Sequence, residues 1–366
     1  MKTKAAILHE VGQPLEIVEL ELEGPKEGEV LVKFTASGIC HSDYSVRYGV
    51  LHGVFPMVLG HEGAGIVEDV GPGVDNLKPG DHIVAALTPS CGECGMCREG
   101  KPYICTQMGR IMGSGAMMDG TTRFKLGDTN VHQLCAVGSF AERAVMPAGS
   151  AIKVADDAPL ESVCLVGCGV TTGVGAAVNT AQVVEGSSVA VIGCGGVGLS
   201  IIQGARVSGA ATIIAVDPVA EKRELAKHVG ATHGVDPSTE DPVKAVRKIT
   251  GMGVHNAFEA LGRTETIEQA WSMLRPAGRA IVVGLPSLKE SVGLGAAGLF
   301  AEKRITGSSY GSAVPTRDIP KFVDWVQDGK LDLDSMITKR IRLEDVNAAF
   351  DEMGRGEGAR SVIMYD

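Results

Sequence analysis

The chain has 366 residues, 44% of them hydrophobic and 21% charged, with a formal net charge of −10. This length exceeds one ordinary core and fits two domains, with the composition of a globular protein. The acidic balance argues against nucleic acid or an anionic membrane surface as a partner, and no run of about 18 apolar residues offers a membrane span.

Residues 1 to about 90 read as short strands at 5–8, 15–19, 30–36, 66–70 and 82–85. Gly12-Gln13-Pro14, Gly24-Pro25-Lys26-Glu27-Gly28 and Gly71-Pro72-Gly73 break them, and strands at this spacing predict a small barrel-like β domain. The first residues are interrupted by His9 and Glu10 and lack the pattern of a secretory leader. Nine cysteines in such a chain read as metal ligands or core residues rather than a disulfide framework, which places the protein in a reducing cytoplasm.

Within this region lie Gly38-Ile39-Cys40-His41-Ser42-Asp43 and Gly60-His61-Glu62-Gly63. A cysteine and a histidine this far apart also suit two core residues. Cys168, in Gly167-Cys168-Gly169, is the candidate third ligand for a zinc site with one open position. Cys91, Cys94, Cys97 and Cys105 follow one another at spacings that close a tetrahedral thiolate site around a second zinc. Two disulfides are the competing reading. Such a closed site has no room for substrate and serves as a folding clamp for the 91–105 lobe. Residues 106–138 read as a loop-rich insert that is functional or meets a partner subunit.

From about 170 the pattern changes to strands alternating with helices, which predicts a doubly wound parallel sheet. The apolar strand 188–192 runs into Gly193-Cys194-Gly195-Gly196-Val197-Gly198 and then a helix. Gly193 allows the tight turn, Gly195 the approach of a pyrophosphate, and Gly198 close packing of helix on strand. Asp217 closes the next strand, where it accepts hydrogen bonds from a ribose and repels a 2′-phosphate, favouring NAD over NADP. Lys222 also lies within reach of the ribose. Two amphipathic helices, at 319–327 and 343–353, and a strand at 361–365 return the chain to its first domain.

Taken together, the run at 60–65, the four-cysteine lobe, Cys168 and the glycine turn resemble the zinc-dependent alcohol dehydrogenases of the medium-chain dehydrogenase/reductase family over essentially the whole length. The resemblance implies an α/β protein with a GroES-like catalytic barrel from 1–169 and 309–366, a Rossmann coenzyme domain from 170–308, and the active site in the cleft. It implies two zinc ions per chain: a catalytic one held by Cys40, His61 and Cys168, and a structural one at the four cysteines. Carried over by position, Glu62 approaches the metal during ligand exchange, Asp43 orients the imidazole, and Ser42 takes the substrate proton. His41, Arg263 and Arg360 meet the coenzyme, with Gly193, Gly195, Gly196, Gly198, Asp217 and Lys222, while Thr172, Val197, Val283 and Leu285 lie near the nicotinamide. The implied activity is reversible hydride transfer between an alcohol and NAD.

Two departures stand out. Ser45 occupies the position where many members have a relay histidine, and Leu87, with Ser309, opens a pocket wall where relatives carry an aromatic ring. A thiol-adduct formaldehyde dehydrogenase is the second reading, weakened by Gly109 where glutathione-dependent members carry arginine just before Arg110. A non-enzymatic zinc protein is the third. The insert resembles that of dimeric members and implies a homodimer, with 280–285 and 294–300 at the contact.

Overall fold

The computed structural model describes residues 1–286 and 289–366. The chain divides into two compact units, one formed by Met1–Cys168 and Val314–Asp366, the other by Gly169–Ala313. No single helix among the described residues is long and apolar enough to cross a membrane.

The first unit is built from two β-layers around one apolar core that includes Ile7, Leu20, Val32, Phe34, Phe124 and Phe140. A closed barrel joins Lys2–Leu8, Glu16–Leu22, Phe124–Leu126, Thr129–Gln133 and Met57–Val58. Two of those strands come from the 106–138 segment, which also carries the helix Met108–Ser114. Far from being loop-rich, the segment buries Phe124 and Val131 and closes the barrel.

In the second layer, Glu29–Gly38 is the central strand. It pairs with Glu62–Val70, Arg143–Pro147 and the final strand Arg360–Met364. Valine, leucine and phenylalanine fill this strand because it is covered on both faces. Its register sets Gly38 opposite Glu62, so the residues just beyond one strand end and just before the other emerge side by side. Cys40 and His61 are those residues.

A buried charge network ties the two layers together. Arg123 is fully buried and donates from Nε to Glu29 Oε2 at 2.8 Å, from Nη2 to Asp119 Oδ2 at 2.8 Å and from Nη1 to the Thr122 carbonyl at 3.0 Å. Burial pushes the Asp119 carboxyl up, but the Thr121 amide and Arg123 outweigh it and hold it down at about 2.

The second unit is a six-stranded parallel sheet in the order His233–Val235, Thr212–Val216, Ser188–Ile192, Val254–Glu259, Leu274–Val282, Arg304–Gly307. The order reverses between Ser188–Ile192 and Val254–Glu259, and ligands of such sheets bind beyond the strand ends at that switch point. Residues 280–282 do not form a sheet edge as the sequence suggested. They lie in a strand flanked on both sides, and Arg304–Gly307 is the exposed edge.

Replacing Arg123 with methionine leaves the buried Glu29 carboxylate without its cation, with the Lys26 amide still donating to it at 2.9 Å. Denaturant unfolding of Arg123→Met is expected to show a loss of about 3–5 kcal/mol, the cost typical of breaking one side of a buried pair.

Candidate active site

Four side chains converge where Glu29–Gly38 and Glu62–Val70 end. The Cys40 and Cys168 sulfurs, a His61 ring nitrogen and a Glu62 oxygen all lie within 4.8 Å of one another, and all four residues are buried. Cys40 caps the short helix His41–Arg47, whose third residue is Asp43. The fully buried Asp43 carboxylate accepts from Cys40 N at 3.0 Å, Gly60 N at 2.9 Å and His61 Nδ1 at 3.0 Å. These bonds offset the cost of burying the charge and leave Nε2 as the free ring nitrogen. His61 Nε2 is buried without a hydrogen-bond partner, which is what a bond to a metal would satisfy.

The cluster is electrostatically coupled. A hydrogen bond from Cys168, opposed by burial and joined by the charges of His61 and Arg360, holds the Cys40 thiol well below its ordinary range. The same bond and burial push Cys168 well above it. Burial pulls His61 down, but Asp43 and Cys40 outweigh it and raise the imidazole well above its usual value. Two sulfurs and one nitrogen at this separation suit a zinc ion with three protein ligands.

The Glu62 carboxylate in this cluster also pairs with Arg360 Nη2. Arg360 also donates to the Ile39 carbonyl at 3.2 Å. A methyl group on Gly38 would lie 2.3 Å from Glu62 Oε2 and 3.1 Å from Arg360 Nη2, so the pair requires glycine there. The sequence reading assigned Arg360 to the coenzyme; the structure places its guanidinium against Glu62. Ser42 lies within the cluster's reach, its Oγ 3.8 Å from the Cys40 sulfur, and His41 is exposed at the helix start. Arg110 is exposed and donates to the Met118 carbonyl at 3.2 Å.

The second cysteine cluster closes on itself. The sulfurs of Cys91, Cys94, Cys97 and Cys105 lie within 4.8 Å of one another, and all nine cysteines are free thiols. Backbone amides serve the sulfurs: Cys91 N reaches Cys105 Sγ at 3.4 Å and Cys94 N reaches Cys91 Sγ at 3.3 Å. Amides of Thr106 and Cys97 hold the Cys94 thiol down at about 5. Amide donors aimed at sulfur are suited to thiolates that bind a metal. Cys135, Cys164 and Cys194 are buried core thiols, pushed up mainly by burial.

In the second unit, Gly193 has φ +91°, and a Cβ on Gly198 would sit 1.8 Å from the Gly193 carbonyl oxygen. Nothing lies within 4 Å of a Cβ on Gly195, which leaves that backbone open to a ligand. The helix Gly196–Val207 starts there with Val197 in its first turn, and its amide end suits a phosphate. Asp217 braces the turn by accepting from Cys194 N at 2.8 Å and Val219 N at 2.9 Å. Lys222 lies on the following helix, Ala220–His228, and Thr172 on Gly169–Gly175. Arg263 is exposed at the start of Thr264–Met273.

Two residues escaped the sequence reading. Glu259, fully buried at the end of its strand, accepts from Leu261 N at 2.8 Å, Gly262 N at 2.9 Å and Thr266 Oγ1 at 2.8 Å. Its carbonyl takes Val283 N at 2.8 Å, and Gly262 lies against the Leu285 backbone, so one residue organises both turns beside the switch point. Arg223 donates to the Asp217 carbonyl at 2.7 Å and pairs with Asp236 at 3.1 Å. An acid closing an apolar strand, and a cation six residues after Asp217, were the available signals.

Comparison with known proteins agrees with this geometry. Residues 26–156 match the family model for an alcohol dehydrogenase GroES-like domain, and residues 196–328 that for a zinc-binding dehydrogenase. The chain is 43% identical to an NDMA-dependent alcohol dehydrogenase of Amycolatopsis methanolica, covering 100% of this chain and 99% of that one. It is 40% identical to an S-(hydroxymethyl)glutathione dehydrogenase of Paracoccus denitrificans over 100% of both chains. The crystal structure of benzyl alcohol dehydrogenase from Acinetobacter calcoaceticus matches with a TM-score of 0.96 at 36% identity, over 100% of both chains.

Removing the Asp43 carboxylate charge is expected to weaken metal binding at Cys40, His61 and Cys168 by about 10–100-fold, measured as zinc retained by Asp43→Asn against a chelator series. Gly198→Ala forces a methyl into the Gly193 carbonyl. Titration calorimetry should show NAD binding lost while zinc content per chain stays at the wild-type value.

Proposed function

Because the chain belongs to the zinc-dependent alcohol dehydrogenases of the medium-chain dehydrogenase/reductase family, we propose that Cys40, His61 and Cys168 form its catalytic zinc site and that Ser42 opens its proton path. Reversible oxidation of an alcohol by NAD is the family's reaction, and zinc and NAD are its cofactors. When bound, zinc supplies Lewis acidity toward the alcohol oxygen and NAD accepts the hydride. The residues of the chain do the rest. The buried, unpartnered Nε2 of His61 beside two sulfurs is the observation that carries this reading.

Asp43 fixes the imidazole so that Nε2 is presented to the ion. Glu62, tied to Arg360, lies among the ligands and offers a carboxylate when they exchange. Ser42 stands in the first turn of His41–Arg47 and takes the proton leaving the substrate hydroxyl. Ser45 lies three residues along the same helix, on the same face, and offers no base there, so the proton leaves by a water chain or another side chain. Asp217 selects NAD through the ribose hydroxyls, and Gly195 and the following amides cradle the pyrophosphate.

The substrates are small-molecule alcohols and aldehydes, with Leu87 widening the pocket beyond ethanol-sized compounds. Oxidation of a thiol adduct of formaldehyde is the second reading, favoured by the 40% identity to the Paracoccus relative and opposed by Gly109. The enzyme acts in the cytoplasm as a homodimer. The support for the homodimer is the exposed edge strand Arg304–Gly307, with Leu299 at 62% and Phe300 at 96% exposure nearby. An open strand edge of this kind is a template for pairing with a second copy.

An NAD-coupled screen of alcohols, of aldehydes, and of formaldehyde with and without low-molecular-weight thiols tests the reading, with zinc measured on the same sample. Less than one zinc per chain in active protein would overturn the mechanism. Ser45→His introduces a base of pKa about 6.5, so alcohol oxidation near pH 7 should rise relative to pH 9. An unchanged pH–rate profile would remove position 45 from the proton path.

A further inference from the structure

Beneath the His61 turn lies a polar cluster of Ser37, Ser139 and Tyr365. Residues 59–62 are gripped from two directions. Asp43 binds Gly60 N and the imidazole on one side. On the other, Ser139 N donates to the Gly60 carbonyl at 3.0 Å and Phe140 N to the Leu59 carbonyl at 2.9 Å. Gly60 has φ +87°, and a Cβ there would lie 2.6 Å from Phe140 N and 2.7 Å from Ser139 Oγ. The Phe140 ring lies closer still, at 2.4 Å, so the 139–140 segment packs against Gly60 in the space a side chain would fill.

Ser139 is fully buried and is itself locked. Its hydroxyl shares a 2.7 Å hydrogen bond with Ser37 Oγ on the central strand, and its carbonyl accepts the Tyr365 hydroxyl at 2.6 Å. Tyr365 N in turn donates to the Thr35 carbonyl at 3.0 Å. The segment leading to Ser139 is strained: Cys135 and Ala136 have φ of 57° and 55°, and Gly138 follows at 62°. Non-glycine residues hold such angles only where the surroundings impose them. Here the imposed shape delivers Ser139 to the underside of the ligand turn.

We propose that Ser139, locked by Ser37 and Tyr365, is a positioning residue for the metal centre, holding the 59–62 backbone so that His61 Nε2 stays within reach of the Cys40 and Cys168 sulfurs. Asp43 sets the rotation of the imidazole; Ser139 sets the position of the backbone that carries it. The inference rests on the reading that Cys40, His61 and Cys168 hold zinc.

The test follows zinc loss from the purified, zinc-loaded protein to excess chromogenic chelator. The wild type should release two zinc ions per chain in two phases, and the phase accelerated in Asp43→Asn identifies the His61 site. In Tyr365→Phe and Ser139→Ala that phase should accelerate about tenfold, the lower end of the effect of residues supporting metal ligands, while release from the four-cysteine site keeps its wild-type rate. With cobalt(II) in place of zinc, the same variants should shift the visible absorption of the His61 site. Equal acceleration of both phases with a lowered Tm would mean a merely structural role, and unchanged release and spectra in both variants would also overturn the proposal. A wild-type chain holding fewer than two zinc ions would overturn the metal reading itself, and this inference with it.

Discussion

One buried carboxylate organises the catalytic half of the molecule. Asp43 receives the amide that starts its own helix, the amide of Gly60 and the ring of His61. Two chain segments are thereby tied to one charge in a place where an unsatisfied carboxylate is intolerable. The register of Gly38 against Glu62 brings the segments to the same place, and Asp43 converts that proximity into a defined orientation. Neither is sufficient alone. A correct register with a freely turning imidazole would not present Nε2 to the sulfurs, and a bound imidazole on a slipped strand would face the opposite side of the sheet.

The same division of labour recurs in the second unit. Strand order creates the switch point, and the contacts of Gly193, Gly198, Asp217 and Glu259 shape the turns beside it. In both units the chemistry sits where strands end. Side chains along a strand are committed to packing, whereas the residues just past its end have satisfied backbones and free directions.

The features that could be read without coordinates were local ones. The glycine turn, the four closely spaced cysteines and the alternation of strand and helix after 170 each declare themselves within a short window, because turn geometry and metal spacing are properties of neighbouring residues. Grouping Cys40, His61 and Cys168 could be offered from residue chemistry only as a candidate, and family likeness strengthened it, since nothing within 40–168 states that three distant residues meet. What escaped was set by long-range register. Residues 106–138 looked like a loop because their glycines are frequent and their strands are short, yet Phe124 pairs with Leu22 and Gln133 with Val58, partners far away in the chain. Residues 280–285 looked like an edge because nothing local reveals that Arg304–Gly307 pairs outside them. The Glu62–Arg360 pair spans almost the whole chain, and Glu259 disclosed its role only through the amides around it.

The final strand has a consequence for how the molecule is made. Arg360–Met364 lies inside the sheet, against Glu29–Gly38 on one side and Ile337–Ile341 on the other. A ribosome delivers it roughly 190 residues after Cys168, which at 5–20 residues per second is a wait of roughly 10–40 s. Throughout that interval only the Ala36–Gly38 end of the central strand lacks its hydrogen-bonding neighbour, Glu62 is without its arginine, and Ser139 is without Tyr365. The nascent chain therefore carries all three candidate ligands, with Asp43 already beside them, for many seconds before the supports from Arg360 and Tyr365 arrive.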